Sequence, residues 1–126
     1  RDTTPTVTKS ERVVSSETAA TVLNMMENVA EASPDYEIDG YRMAGKSGTA
    51  EVPGEDGRLT SIVGDYIVAL PADNPQFVIS VFLKDARAYY GAATAGPVVK
   101  NVAQFLIQKY QIAPSAPRTD AIPITW

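Results

Sequence analysis

Two apolar runs, SIVGDYIVAL at 61–70 and FVISVFL at 77–83, are separated by only five residues, Pro71-Ala72-Asp73-Asn74-Pro75. Both runs are rich in β-branched and aromatic side chains, and the spacer is dense in turn formers, so the pattern predicts a hairpin. A spacer this short joins antiparallel neighbours, because a parallel pair needs a crossover of a dozen or more residues. Each run is apolar at nearly every position, which predicts a sheet covered on both faces.

The rest of the chain has to supply that cover. From Ser15 the period changes: Ala19, Val22, Leu23, Met26, Val29 and Ala30 make one stripe of an amphipathic helix. Ser15 is placed to cap it and Glu17 falls in the favourable first turn. Pro34 should stop it, since the residue before a proline avoids the α region. Glu27 and Glu31 then read as its solvated face. A second helix is expected to start between Ala93 and Pro97, with Val98, Val102, Phe105 and Leu106 buried and Val99, Ala103 and Tyr110 beside them. Between the first helix and the hairpin lies a turn at Asp39-Gly40, then a candidate strand from Tyr41 to Val52, ended by Pro53-Gly54-Glu55-Asp56-Gly57. Residues 1–12 read as a polar lead-in. The expected order is helix, strand, two-stranded hairpin, helix: an α+β fold with an antiparallel sheet flanked by helices. Residues 1–112 carry this layout, and 113–126, rich in proline, read as an extended or disordered tail.

The candidate strand contains GYRMAGKSGTAEV at 40–52, which satisfies two unrelated signatures. Gly40 to Ser47 fits the phosphate-cradling G-x-x-x-x-G-K-[ST] loop. Lys46-Ser47-Gly48 fits the K-T-G type triad, with Ser for Thr. A phosphate loop needs a buried strand entering it and a helix starting at Lys-Ser, with N–H groups aimed at phosphate. Pro34 to Asp39 is too polar for that strand, and Pro53-Gly54 leaves no room for that helix. The triad makes the opposite demand, an extended strand, and Gly45 and Gly48 lower the side-chain bulk where another backbone could approach.

The sequence contains no cysteine and no histidine. Cysteine nucleophiles, a Ser-His-Asp triad within this chain and most zinc or iron sites are thereby excluded, and no cofactor is called for. A net charge of −4 with no basic run argues against nucleic acid as a partner. The chain opens Arg1-Asp2-Thr3-Thr4-Pro5 without an initiating Met and reads as a segment of a longer polypeptide.

Beyond the triad, five features occur in order: the Ser15 cap, Thr18-Ala19, GYRMAGKSGTA at 40–50, SIVGDYIVALPADNPQFVISVFLKD at 61–85 and GAATAGPVVKNVAQFLIQKY at 91–110. In that order the stretch from Val14 to Pro114, about four fifths of the chain, resembles the C-terminal part of the transpeptidase domain of penicillin-binding proteins, class B above all. The resemblance implies a fold shared with serine β-lactamases. It implies a D,D-transpeptidase that forms a serine acyl-enzyme from the D-Ala-D-Ala end of a peptidoglycan stem peptide, and that β-lactams acylate. By the same resemblance Lys46 supplies positive field for the substrate carboxylate and for proton transfer. Ser47 and Thr49 offer it hydroxyls, Gly48 and Ala50 lie along the bound substrate, and the Thr49 N–H is half of an oxyanion hole. The implied parent sits at the extracytoplasmic face of the bacterial membrane, anchored by a segment outside this chain. It would act in division or cell-shape growth, with a membrane glycosyltransferase as a further partner.

The family's S-x-x-K nucleophile and its S-x-N motif do not occur in this sequence, Thr6-x-x-Lys9 having the wrong nucleophile. The remaining part of the domain is therefore the expected partner, and the chain alone is expected to be inactive. Asp65, Tyr66, Tyr89 and Tyr90 read as packing or turn residues, and Arg42 as the partner of a surface carboxylate. The alternatives are a serine β-lactamase or β-lactam sensor of the same fold, a non-catalytic interaction module, and a nucleotide binder using Gly40 to Ser47.

Overall fold

A computed structural model describes residues 11–85 and 91–123. Helix α1 spans Ser16–Glu31, a 3-10 turn Pro34–Tyr36, strand β1 Ala44–Pro53, β2 Leu59–Leu70, β3 Phe77–Lys84 and helix α2 Gly91–Tyr110. The three strands form one antiparallel sheet in the order β1-β2-β3. Ser15 caps α1 by accepting the Thr18 N–H at 3.0 Å. The turn at Asp39-Gly40 closes with Tyr41 N–H on Ile38 O, and Gly40 takes φ +80°, which favours glycine. The hairpin tip after Pro53 closes with Gly54 N–H on Arg58 O at 2.7 Å.

One face of the sheet carries the main core. Tyr66, Val68 and Leu70 of β2 and Ile79 of β3 pack on Ala95, Val99 and Ala103 of α2, all buried. The buried stripe of α2 is therefore Ala95, Gly96, Val99 and Ala103. Val99 and Ala103 lie inside as expected, while Val98, Val102, Phe105 and Tyr110, also expected inside, are exposed. The reason is distance: a helix can lie close to the sheet only through a narrow face, and Gly96 leaves room for the Tyr36 ring. Helix α2 also begins earlier than expected, at Gly91, so Pro97 lies inside it rather than in its first turn.

The opposite face is covered only near the start of β1, where Leu23 and Met26 of α1 meet Ala44, Ala69 and Ala72. Val78 and Phe82 of β3, on that face, are exposed, so the sheet is not covered on both faces by the described residues. The apolar stripe of α1 is likewise rotated. Leu23, Met26 and Ala30 turn inward, while Val22, Met25 and Val29 face out.

One charge assignment is corrected here, and that of Arg42 is extended. Glu27 is not on the solvated face of α1: it is 3% exposed and takes a bidentate pair from Arg42, Nε on Oε2 at 2.7 Å and Nη2 on Oε1 at 2.8 Å. Arg42 consequently pairs with a buried carboxylate as well as with exposed Asp120 at 3.0 Å. Its hydrogen bond to Glu27 raises its affinity for the proton still further, against the opposing effect of burial. Period alone could not separate Glu27 from Glu31, because only the folded chain brings Arg42 to Glu27, with Arg118 lying between the two glutamates. Glu31 does stay half exposed, bound by Arg118 at 2.7 Å.

Arg118 belongs to the tail. Residues 112–123 form no helix or strand, but they run as a strap along α1. Ile112 is buried, the Arg118 guanidinium donates to Asn24 O and Oδ1, and Asn28 donates to Ile122 O. Ser115 accepts the Arg42 N–H at 3.0 Å and donates to Asp73 at 2.8 Å. Partial burial works against the ionised Asp73, yet the Ser115 hydroxyl and the Ala116 N–H prevail and hold its carboxyl below the ordinary 3.8. A carboxyl lowered by folding contributes stability above its unfolded pKa and loses it as pH falls through the folded one. The Ala116 amide resonance is therefore expected to shift only in acid below the ordinary carboxylate range. In Asp73→Asn that step should vanish, which a proton–nitrogen NMR titration checks.

Candidate functional site

Lys46, Ser47, Gly48, Thr49 and Ala50 lie consecutively on β1. Among the described residues β1 is an edge strand, paired only with β2. One row of its main-chain groups is thus open to an added strand. The strand enters buried, at Ala44 and Gly45, and emerges at Lys46, which fixes its path while exposing its middle.

Register divides the residues between two faces. Ser47 and Thr49, opposite Tyr66 and Gly64, share the face on which α2 packs, and Lys46 and Gly48, opposite Ile67 and Asp65, share the other. The Lys46 ammonium donates to the neighbouring Ser47 carbonyl, and no described carboxylate lies within ion-pair distance of it. An exposed cation without a partner carboxylate can attract one from a ligand. A side chain at Gly48 would meet Asp65, whose carboxylate oxygens lie 2.3 and 2.8 Å from the position of its Cβ. Glycine there lets the Asp65 carboxylate lie directly over the strand.

Thr49 is tied from the other face. Its Oγ1 accepts the N–H of Gly91, the first residue of α2, at 3.1 Å. This contact ties the described start of α2 to the middle of β1. Gly91 was not singled out from the sequence; the small-residue run GAATAG was its only signal.

Of the residues assigned to packing, Tyr66 is 2% exposed and lies edge-on to Tyr36, 6.1 Å between centroids. Burial, then the charge of Glu37 and the neighbouring Tyr36, raises its phenol pKa above 10.0 and keeps it neutral. Asp65, half-buried beside Gly48, belongs to the edge of the site. Tyr89 and Tyr90 lie outside the described residues, as do Thr6 and Lys9. A cleft of about 350 Å³ between α1, the Ile38–Met43 connection and the strap contains none of residues 46–50. Burial and the facing Glu31 and Asp39 raise the carboxyl of Glu37 on its wall.

The phosphate-loop pattern fails on geometry. Lys46 and Ser47 sit inside a strand that continues to Pro53, so no helix N-terminus follows them. Among the described residues no helix is long and apolar enough to cross a membrane.

A family model described as the penicillin binding protein transpeptidase domain matches residues 2–104. The peptidoglycan D,D-transpeptidase FtsI of Escherichia coli K12 is 36% identical, over 84% of this chain and 19% of that protein. FtsI of Buchnera aphidicola (subspecies Baizongia pistaciae) is 34% identical, over 85% and 20% respectively. The chain thus spans about a fifth of the length of the curated relatives it matches. Among solved structures, a peptidoglycan synthetase from Bifidobacterium adolescentis is similar at 50% identity and TM-score 0.86, covering 98% of this chain and 23% of that one. Penicillin binding protein 3 from Mycobacterium tuberculosis, solved with ampicillin, is similar at 30% identity and TM-score 0.76, covering 90% and 29%.

Proposed function

Because the chain belongs to the penicillin-binding protein transpeptidase family, we propose that it supplies the substrate-facing strand of a D,D-transpeptidase that cross-links peptidoglycan and is acylated by β-lactams. The observation that carries this reading is the edge position of Lys46-Ser47-Gly48-Thr49, with the Lys46 ammonium exposed and unpaired by any described carboxylate. Residues 1–112 are one part of the catalytic domain. Residues 113–126 are an appended tail, tied to α1 as far as Ile122.

In this reading the stem peptide lies along the open edge of β1 as an added strand. Its D-Ala-D-Ala carboxylate meets the field of Lys46 and the hydroxyls of Ser47 and Thr49. A serine Oγ from the remaining part of the domain attacks the penultimate carbonyl carbon. Its proton passes to a neighbouring basic group and then to the departing D-Ala nitrogen. The developing oxyanion takes the Thr49 N–H as one of its donors. An amine of a second stem peptide then attacks the ester, releases the serine and forms the cross-link. Lys46 lowers the barrier by favouring negative charge at the serine and at the carboxylate. A β-lactam enters by the same route, and its ring opens onto the serine. The parent works at the outer face of the bacterial membrane, with the rest of its domain and a membrane glycosyltransferase as partners.

Labelling with a fluorescent penicillin tests this. The full-length protein is expected to form a long-lived covalent adduct and residues 1–126 alone none, because the S-x-x-K serine is absent from them. Labelling of the isolated chain would overturn the division of labour, and rapid release of the adduct would move the assignment to a β-lactamase.

A further inference from the structure

We propose that Gly91 is a positioning residue for the carboxylate-binding hydroxyl of Thr49: its N–H occupies a lone pair of Thr49 Oγ1 and turns the hydroxyl proton toward the ligand. The inference rests on the transpeptidase reading above and adds to it a residue from a different element. A threonine hydroxyl has one proton to give and two lone pairs to receive, and left alone it rotates to suit any neighbour. An amide N–H can only donate, so the 3.1 Å contact from Gly91 settles which part of the hydroxyl points at α2. The oxygen faces the helix. The proton is left for the exposed side of β1, where Thr49 itself is exposed.

Helix geometry strengthens the effect. Among the described residues Gly91 opens α2, and the aligned amide dipoles of a helix carry their positive end toward its start. Donation from the Gly91 N–H makes the hydroxyl a stronger donor to an anion. Thr94 holds this first turn in place by donating its Oγ1 to Gly91 O at 3.1 Å.

The approach requires glycine. A Cβ at 91 would stand 2.0 Å from Gly48 O, 2.6 Å from Asp65 O and 2.7 Å from Asp65 N. All three are main-chain atoms of the paired strands and cannot swing aside as a side-chain end could. Any larger residue must push the start of α2 off the β1–β2 pair, and the N–H leaves Thr49 with it. Two glycines thus meet at one point: Gly48 within the triad and Gly91 across from its carbonyl.

The experiment uses the full-length protein and two probes, a penicillin and its methyl ester, which lacks the anionic carboxylate. The ratio of their second-order acylation constants reads carboxylate recognition. Gly91→Ala and Thr49→Val are each expected to lower that ratio about tenfold, the worth of one hydrogen bond to a charged group. The double variant should lose no more than either alone, and Thr49→Ser should retain the ratio. Equal slowing of both probes by Gly91→Ala, or additive losses in the double variant, would overturn the proposal in favour of a purely structural glycine. Should Gly91→Ala fail to fold, amide exchange at Gly91 decides. It is expected to accelerate in Thr49→Val and recover in Thr49→Ser, and unchanged exchange would refute the contact. A wild-type protein that penicillin does not acylate would instead sink the transpeptidase reading itself, a result distinct from each of these.

Discussion

Lys46→Ala is expected to slow acylation of the full-length protein by penicillin about a hundredfold or more, the usual cost of deleting one donor from a charge-stabilising site. The change should leave folding almost untouched. Lys46 is exposed, its ammonium donates only to the adjacent Ser47 carbonyl, and no described carboxylate depends on it. Exposed substitutions of this kind alter stability by about 0.5 kcal/mol or less. The combination of a large rate effect with an unmoved melting temperature separates a site lysine from a structural one. Lys46→Arg should recover only part of the rate, since a planar fork does not place its charge where a compact ammonium does. A time course of fluorescent penicillin labelling beside a thermal melt is sufficient, and an unchanged rate would remove Lys46 from the site.

The reverse pattern is expected at Glu27. Removing this buried carboxylate leaves the Arg42 guanidinium without its bidentate partner and takes away the charge 3.7 Å from Arg118. The side chains of both arginines are largely buried, at 17% and 7% exposure. Breaking a buried pair from one side costs about 3–5 kcal/mol. Asp120 and Glu31 still face the two arginines, so Glu27→Ala should fall near the lower end, about 3 kcal/mol of unfolding free energy. Denaturant unfolding of the intact protein measures it, and a loss under about 1 kcal/mol would show the pair to behave as an exposed one. Acylation by the folded fraction should change much less than in Lys46→Ala. Arg42 lies four residues ahead of Lys46 and is tied to the strap through Ser115, so the network holds the entry of β1 and lies outside residues 46–50.

The local features were legible because local chemistry decides them. Ser15 caps α1 through its own side chain, Gly40 turns the chain with a positive φ, and the loop around Pro71 to Pro75 returns β2 onto β3. Lys46, Ser47, Gly48, Thr49 and Ala50 were readable as an extended stretch because Pro53-Gly54 forbids a helix there. The faces of the helices were not legible. In α1 the stripe containing Val22 and Val29 and the one containing Leu23, Met26, Glu27 and Ala30 overlap in sequence. Hydrophobicity favours the first, and only the position of Arg42 makes a buried glutamate in the second tolerable. In α2 the large residues Val98 and Phe105 promise a core, yet close packing against Tyr36 and the sheet selects the small ones.

By itself, then, the sequence determined the order of elements, the antiparallel hairpin and the strand that carries Lys46 to Ala50, because turns, caps and period act over a few neighbouring residues. The tertiary structure alone decided that β1 lies at an edge among the described residues, that Glu27 is buried against Arg42, and that Gly91, forty-two residues beyond Thr49, donates to its hydroxyl. Those outcomes depend on which distant groups come within about 3 Å of each other, the range over which hydrogen bonds act. That distance is set by how closely small residues let a helix approach a sheet.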